Sequence, residues 1–344
     1  MELEDRSTPS TLATLDLSFG AQGKSTRRYG KIGDIRAVTV QSGDQVLLAG
    51  VIDEQVRILR LNANGTTDFP FGGNNDGFTQ AIPFEVGSAG NLFNLEVSSI
   101  AIDANGKIVV AVTGTFPGFS DTEIAAARFN ADGSRDNTFG GDGTIVALDV
   151  GRITSSGVFS NEKAFAVDFD PRDNRVVIVG STDRTGSEQF VAVRINSDGN
   201  FDRGPDISFG GGSTSRATAV EVDKLGRSYI AGEVTTAGKV NVGVIRLTSA
   251  FVLQDTGYGD QGNGLVRVDF GGSADSVVGA GLDSQGRFTV GGGTNKNGNL
   301  DFAAMRLNAD GTQDFGYGTV GLAIIDFSGG SKDEAKDAVF DASA

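Results

Sequence analysis

The sequence predicts an all-β protein, a β-propeller of four-stranded blades, and three observations carry that expectation. The chain repeats itself: Arg60-Leu61-Asn62-Ala63-Asn64-Gly65 returns as Arg128-Phe129-Asn130-Ala131-Asp132-Gly133, as Arg194-Ile195-Asn196-Ser197-Asp198-Gly199 and as Arg306-Leu307-Asn308-Ala309-Asp310-Gly311, with Arg246-Leu247-Thr248 a degenerate copy. The arginines lie 68, 66, 52 and 60 residues apart, a spacing that marks one supersecondary unit copied along the chain. Short runs alternate with period two and are punctuated by Gly, Asn and Asp, as strands and tight turns are. The strand before the arginine is apolar or small on both faces, as in Phe190-Val191-Ala192-Val193. Such a strand belongs in a sheet covered on both sides, which stacked blades supply better than a two-sheet sandwich.

The fifth copy shows the elements in order. Gly264–Phe270 reads as a first strand and Ser276–Leu282 as a second, ending in the turn Asp283-Ser284-Gln285-Gly286. Arg287–Val290, running into Gly291, is a third and Asp301–Leu307 a fourth, followed by the turn Asn308–Gly311. The second strand recurs at Ile35–Val40, Val97–Ile102, Ala164–Phe169 and Thr218–Val222. The third recurs at Gln45–Ala49, Lys107–Val112, Arg175–Val179 and Arg227–Ala231. Asp and Gly turns join the two, as hairpin chemistry requires. One domain follows, with approximate repeats 21–72, 73–140, 141–204, 205–259 and 260–318 and a partial sixth, 319–344 with 1–20. The first two strands occur a sixth time at Leu322–Phe327 and Ala335–Phe340. The expectation is six blades, the last incomplete or shared between the chain ends. The alternatives are five blades plus extra strands, or a longer natural protein cut here. An incomplete last blade would expose an edge able to pair with another chain, so self-association is an expectation as well.

Composition excludes several functions. The chain has 344 residues, 51 Gly, 6 Pro and a formal net charge of -15. An acidic surface repels nucleic acid and anionic membranes, and no apolar run approaches the ~18 residues of a membrane helix. The basic stretch Lys24, Arg27, Arg28, Lys31 and Arg36 is a local exception, read as a solvated face. Absence of Cys removes disulfides and thiolate chemistry; absence of His removes His-based zinc sites, triads and proton shuttles. Residues 1–6 are charged and lack the apolar segment of a secretory signal. A mature or leaderless secreted form and a cytoplasmic protein all stay open, with the Gly-rich, acidic, Cys-free composition favouring an extracellular or cell-surface location.

The turn-strand pattern resembles the bacterial delta-60 repeat family. The matches run from Asn62 to Gly72, from Asn130 to Gly140 and from Asn308 to Gly318, with Tyr317 for Phe, and over Asp16 to Gly20. Asp103 to Val112 and Gln45 to Gly50 match the later part. The fourth copy departs, with Phe251-Val252-Leu253-Gln254 in place of the Asn-Asp-Gly turn. The resemblance implies tandem copies in bacterial, often secreted or surface-associated proteins and a propeller-like fold. It implies no catalytic residues, so none is carried over.

Candidate sites compete with structural readings. Each of Arg60, Arg128, Arg194, Arg246 and Arg306 ends an apolar strand and needs a partner. Asp68, Asp136, Asp202 and Asp314 follow eight residues later and Asp255 nine later. The first-strand residues Asp149, Asp269 and Asp326 are the other candidates. The structural reading is a clasp; the functional one is a ring of anion-binding arginines. The Asn-x-Asp-Gly turns and the cluster Asp168, Asp170 and Asp173 resemble fragments of calcium loops; calcium is an open cofactor and no metal ligand is assigned. Asp103-x-x-Gly106 and Asp283-x-x-Gly286 partly match the hairpin boxes of sialidase-like propellers, whose chemistry would need a Tyr nucleophile from Tyr29, Tyr229, Tyr258 or Tyr317. The sequon Asn64-Gly65-Thr66 reads as a turn. Three inserts, Gly87–Leu95, Phe116–Asp121 and Gly151–Asn161, carry Phe93, Phe116, Phe119 and Phe159 outside the strand pattern and suit recognition. The expected function is a non-enzymatic binding or assembly module with a protein or glycan partner. The alternative is a propeller enzyme acting on a sugar or lactone through carboxylates, with or without calcium. A non-repeating carboxylate pair in the central channel would favour the enzyme. Small channel residues with an exposed aromatic rim would favour binding.

Overall fold

The computed structural model describes residues 17–22, 24–25, 33–84, 91–115, 120–146, 160–252, 255–259, 261–326, 332–338 and 340. They form five antiparallel sheets. The first orders β1 (Gly33–Gln41), β2 (Gln45–Ile52) and β3 (Gln55–Leu61). The second orders β4 (Phe93–Ile102), β5 (Ile108–Thr115), β6 (Thr122–Phe129) and β7 (Thr144–Val146). In the third, β8 (Glu162–Asp170) pairs with β9 (Arg175–Thr182) and β9 with β10 (Gln189–Ile195). Both β11 (Phe201–Arg203) and β12 (Asp206–Ile207) pair with β10. The fourth orders β13 (Thr214–Val222), β14 (Ser228–Thr236), β15 (Lys239–Leu247) and β16 (Leu265–Val268). The fifth orders β17 (Ser276–Leu282), β18 (Phe288–Thr294), β19 (Asp301–Leu307) and β20 (Leu322–Ile325). No helix among the described residues is long and apolar enough to cross a membrane.

These sheets are the blades of a β-propeller. Residues read as a first strand close the blade before them: β16, within Gly264–Phe270, pairs with β15 as the outer edge of the fourth blade. The chain returns from the turn to the nearest open edge, so blades run one strand out of phase with the sequence copies. In the first blade, bridges from Phe78 to Leu59 and from Ile82 to Val56 take the place of an outer strand.

Alternation on the middle strands builds the core. Ile108, Val110 and Val112 of β5 pack with Leu47, Ala49, Val56 and Ile58 of the first blade. Val109 and Ala111 pack with Val176, Ile178, Val191 and Val193 of the third. On β10, Phe190 and Ala192 turn instead toward Ile230 and Ile245 of the fourth blade. The fourth and fifth blades meet through Tyr229, Val242, Phe288 and Met305. The two apolar faces of the second, third and fourth blades thus belong to two different interfaces, as the doubly apolar strands predict.

The five arginines form clasps with the later aspartates. The Nε donates to Asp68 (2.7 Å), Asp136 (2.7 Å), Asp202 (2.7 Å), Asp255 (2.6 Å) and Asp314 (2.8 Å) from Arg60, Arg128, Arg194, Arg246 and Arg306 in turn. Of the other candidates, Asp269 accepts from Lys239 at 2.6 Å, Asp326 lies beside Asp301 and Asp333, and Asp149 lies outside the described residues. Four of the arginines also reach the next blade's turn. Arg60 donates to the Ala131 carbonyl (2.7 Å), Arg128 to Ser197 (2.6 Å), Arg194 to Ser249 (2.9 Å) and Arg246 to Ala309 (2.7 Å). An aromatic ring completes each clasp: Phe71, Phe139, Phe251, Tyr258 and Tyr317 lie 4.3–4.9 Å from their guanidinium carbons. Parallel to this, the amides of Gly72, Gly140 and Gly259 donate to the carbonyls of Asp132, Asp198 and Asp310 in the following turn.

The altered fourth copy has a physical reason. Gly133 holds φ +81 and a Cβ there would meet the Phe71 ring and the Gly72 amide, so that turn position is small. In the third blade the chain carrying β11 and β12 displaces the usual ring; Phe209 packs edge-on against Phe190 instead. Phe251 then stands at the turn-glycine position, with φ +58, and lays its own ring on Arg194. One substitution fills the space that the other left.

Removing Arg128 leaves Asp136 buried, since both side chains are only 3% exposed. Burial raises the Asp136 carboxyl, but hydrogen bonds from Lys107 and Thr138 and the charge of Arg128 outweigh it and hold it well below the usual carboxylate range. The stabilisation is therefore present above about pH 3.8 and disappears as pH falls toward the depressed value. Arg128→Ala is expected to cost ~3–5 kcal/mol near pH 7, read by urea unfolding, and less at acid pH. An unchanged midpoint would contradict the clasp.

Candidate functional site

The candidate site is the central channel, lined by β1, β4, β8, β13 and β17. Each of these inner strands carries a bulge, between Ile35 and Ala37, Val97 and Ser99, Ala164 and Ala166, Ala217 and Ala219, and Val277 and Gly279. A bulge inserts one unpaired residue and re-aims it. Those residues, Arg36, Ser98, Phe165, Thr218 and Val278, all line one cavity of about 690 Å³. Lys336, Asp337, Ala338 and Phe340 also line it, with Ala338 and Phe340 beside Gly279 and Gly281 of β17. Residues 332–338 and 340, read as a strand over Ala335–Phe340, belong to no ladder, because no described strand pairs with them.

The same position carries different residues in each copy. Two residues before the hairpin turn stand Thr39, Ala101, Asp168, Glu221 and Gly281. Carboxylates occur only on the two neighbouring strands β8 and β13. Both side chains are half-buried. The Val222 amide, beside Glu221, donates to Asp168 Oδ2 at 2.7 Å. Burial and the charge of Asp170 push Asp168 up to about 6, against the pull of the Phe169 and Val222 amides. Burial first, then the charge of Asp168, pushes Glu221 up to about 8. Near neutral pH the pair therefore holds one proton, and Glu221 can donate a hydrogen bond while Asp168 accepts. Across the cavity Arg36 binds Asp34 at 2.5 Å and Glu96 at 2.6 Å.

The other expected sites resolve as structure. Asp170 is clamped by Arg172 at 2.5 Å and Asp173 lies 3.2 Å from Arg175, so the Asp168–Asp173 cluster diverges. In the Asn-x-Asp-Gly turns, Asp132 and Asp310 each accept the amide and hydroxyl of the residue two later. Asp103 and Asp283 bind the amides of their own hairpin turns. Tyr229 and Tyr258 are fully buried and Tyr317 stacks on Arg306, so none of the three offers a nucleophile to the channel. Tyr29, Arg27, Arg28, Lys31, Phe116, Phe119 and Phe159 lie outside the described residues. Phe93 is exposed, while Leu92 in the same insert is buried. Among the described residues one carboxylate group suits a cation by proximity: Asp301, Asp326 and Asp333, with ligand atoms within 4.8 Å of one another. Amides of Asn297 and Asn299 also donate to Asp301.

Residues 104–139, 172–204 and 286–314 match a family described as a domain of unknown function (DUF5122) beta-propeller. Each matched segment runs through a third strand, a clasp arginine and its aspartate. No curated protein matches the chain. Among solved structures, a protein of unknown function from Dyadobacter fermentans is 13% identical with a TM-score of 0.45, over 83% of this chain and 75% of that one. Virginiamycin B lyase from Staphylococcus aureus is 11% identical, with a TM-score of 0.40, over 81% and 68%. An endo-arabinase from Bacteroides thetaiotaomicron is 13% identical, with a TM-score of 0.40, over 86% and 94%.

The raised Glu221 carboxyl makes a pH prediction. Between about 4.5 and about 8 the folded protein keeps a proton that the unfolded chain releases. Its contribution to stability therefore falls as pH rises through that interval, with Asp168 adding the same sign up to about 6. Thermal melts across pH 5–9 should show the wild type losing stability and Glu221→Gln losing less. Parallel curves for the two proteins would contradict the buried pair.

Proposed function

We propose that this chain is a non-enzymatic binding module whose channel holds a hydroxyl-rich ligand, a short glycan, and that it works outside the cytoplasm. The observation that carries the reading is the set of groups around one cavity. Ser98, Ser99, Thr39 and Thr218 offer hydroxyls, Glu221 a proton donor and Arg36 a cation, while Phe165 and Phe340 offer ring faces. The volume of about 690 Å³ lies within the range of small-molecule sites. Sugars need many directional polar contacts plus an apolar face, and this cavity supplies both. The extracellular location rests on the acidic, Cys-free composition and on the repeat resemblance.

A second reading has one observation in its favour, the non-repeating pair Asp168 and Glu221. A propeller enzyme acting on a sugar or lactone would use Glu221 as acid and Asp168 as base. Canonical glycoside hydrolysis sets its carboxyls on opposite sides of the scissile bond. Here Asp168 is instead bonded to the backbone beside Glu221, so the pair approaches a ligand from one side. That geometry supports binding over cleavage.

A thermal-shift screen of neutral and acidic oligosaccharides tests the proposal. At least one class is expected to raise the melting temperature, with Arg36→Ala and Glu221→Ala each weakening its binding about tenfold, ~1.4 kcal/mol. No shift with any glycan would overturn the ligand class. Release of reducing ends or unsaturated products, lost in Glu221→Ala, would establish the enzyme instead.

A further inference from the structure

Beyond the channel, the space between the fifth and first blades has its own chemistry. Three apolar positions on each inner strand face the preceding blade. In the second blade they are Val97 and Ile100, 1% and 8% exposed, and the half-buried Ile102. In the third they are Ala164, Val167 and Phe169, all buried. In the first blade the same positions hold Ile35, Val38 and Val40, and these are 45%, 57% and 60% exposed. The groove beside them is floored by Leu48, Leu59, Leu61 and Phe78.

Both flanks of this space already carry parts of a sixth blade. The Asp333 amide donates to the Leu300 carbonyl, as Asp275 does to Val240 and Ser215 to Glu188. Each acceptor lies six residues before a clasp arginine, so residues 333–338 run in the register of an inner strand. From the other flank, Gly20 donates to the Asn64 carbonyl at 2.6 Å, the bond that Gly72 and Gly140 make to their next turns. Phe19 meets Gly65 as Phe71 meets Gly133. Inner and outer elements are therefore in place, and the two middle strands between them are absent among the described residues. Arg306 reports the same gap. It binds Asp314 and stacks on Tyr317, yet it makes no bond to a following turn among the described residues. Its side chain is 21% exposed where that of Arg128 is 3% exposed.

We infer that this gap is a docking site for a two-stranded β-hairpin of the same repeat type, presented by a separate protein chain. The hairpin's apolar strands would cover Ile35, Val38 and Val40, and a carbonyl of its Asn-x-Asp-Gly turn would accept from Arg306. The occupant is a hairpin rather than a flat surface because the gap pairs an apolar wall with a donor spaced for that turn. It is not a second copy of this chain, because every described hairpin here is already sandwiched in its own blade. Donating one would open a blade. The site extends the four existing blade interfaces and does not depend on the channel's ligand.

The test is a fluorescently labelled peptide with the sequence of residues 286–314, which spans β18, β19 and the turn, titrated into the full chain and followed by anisotropy. Saturable one-to-one binding is expected, weakened at least tenfold by Val38→Asp and by Arg306→Met. It should be unchanged by Leu225→Asp, an exposed position outside the gap. Val38 is itself exposed, so its variant is expected to fold, which circular dichroism checks. Absence of saturable binding, or equal binding by Val38→Asp and Arg306→Met, would overturn the proposal. So would a dimeric wild type that Val38→Asp converts to monomer, since the face would then belong to a second copy.

Discussion

A buried guanidinium that must be satisfied from two blades at once is the constraint on which the rest of this structure depends. A charge taken out of water costs several kcal/mol unless its hydrogen bonds are met. Arg128 meets that cost with Asp136 in its own blade, the Ser197 carbonyl in the next and the face of Phe139. The middle strands alone would give greasy sheets able to slide on one another. The clasp fixes their register, because the arginine ends the strand at a set depth and its turn acceptor lies at a set distance in the following copy.

Repetition of that joint releases the channel-facing positions of the inner strands from structural duty. Their bulges set backbone direction, and side chains at the channel can differ among copies without disturbing a blade interface. Thr39, Ala101, Asp168, Glu221 and Gly281 occupy one equivalent position, and only two of them are acidic. A pair of carboxylates raised by burial arises where two neighbouring copies depart from the pattern together. The same logic explains Phe251, whose ring replaces the one that the third blade's longer loop removed.

Much of the fold was legible because its period is carried by residues with few alternatives. Arginines ending apolar strands, aspartates eight residues on and Gly at left-handed turns each report a local requirement, and the doubly apolar strand 190–193 reported sheets covered on both sides. The phase of the blades was not legible: whether 264–270 joins the sheet before or after it depends on which edge is open, a tertiary fact. The channel site was also missed. Glu221 sits in an ordinary alternating strand and Phe165 at a bulge that nothing in the sequence marks, and Asp168 was grouped with Asp170 and Asp173 by nearness in sequence, although Arg172 and Arg175 take up those two carboxylates. A copy-by-copy comparison of the position two before each hairpin turn would have singled out Asp168 and Glu221. Phe165 and Phe340 reach the cavity from outside the long inserts, one at a bulge and the other beside β17.

The central claim is that each clasp joins a blade to its successor, rather than merely pinning a loop to its own sheet. Native-state hydrogen exchange in Arg128→Ala measures this directly at the Gly140 amide, whose acceptor is the Asp198 carbonyl across the interface, and at the Gly199 amide in the third blade's turn. The account predicts faster exchange at both, with the Gly259 and Gly311 amides at the fourth interface unchanged. Acceleration confined to the second blade's own loop, with Gly140 and Gly199 still protected, would contradict it.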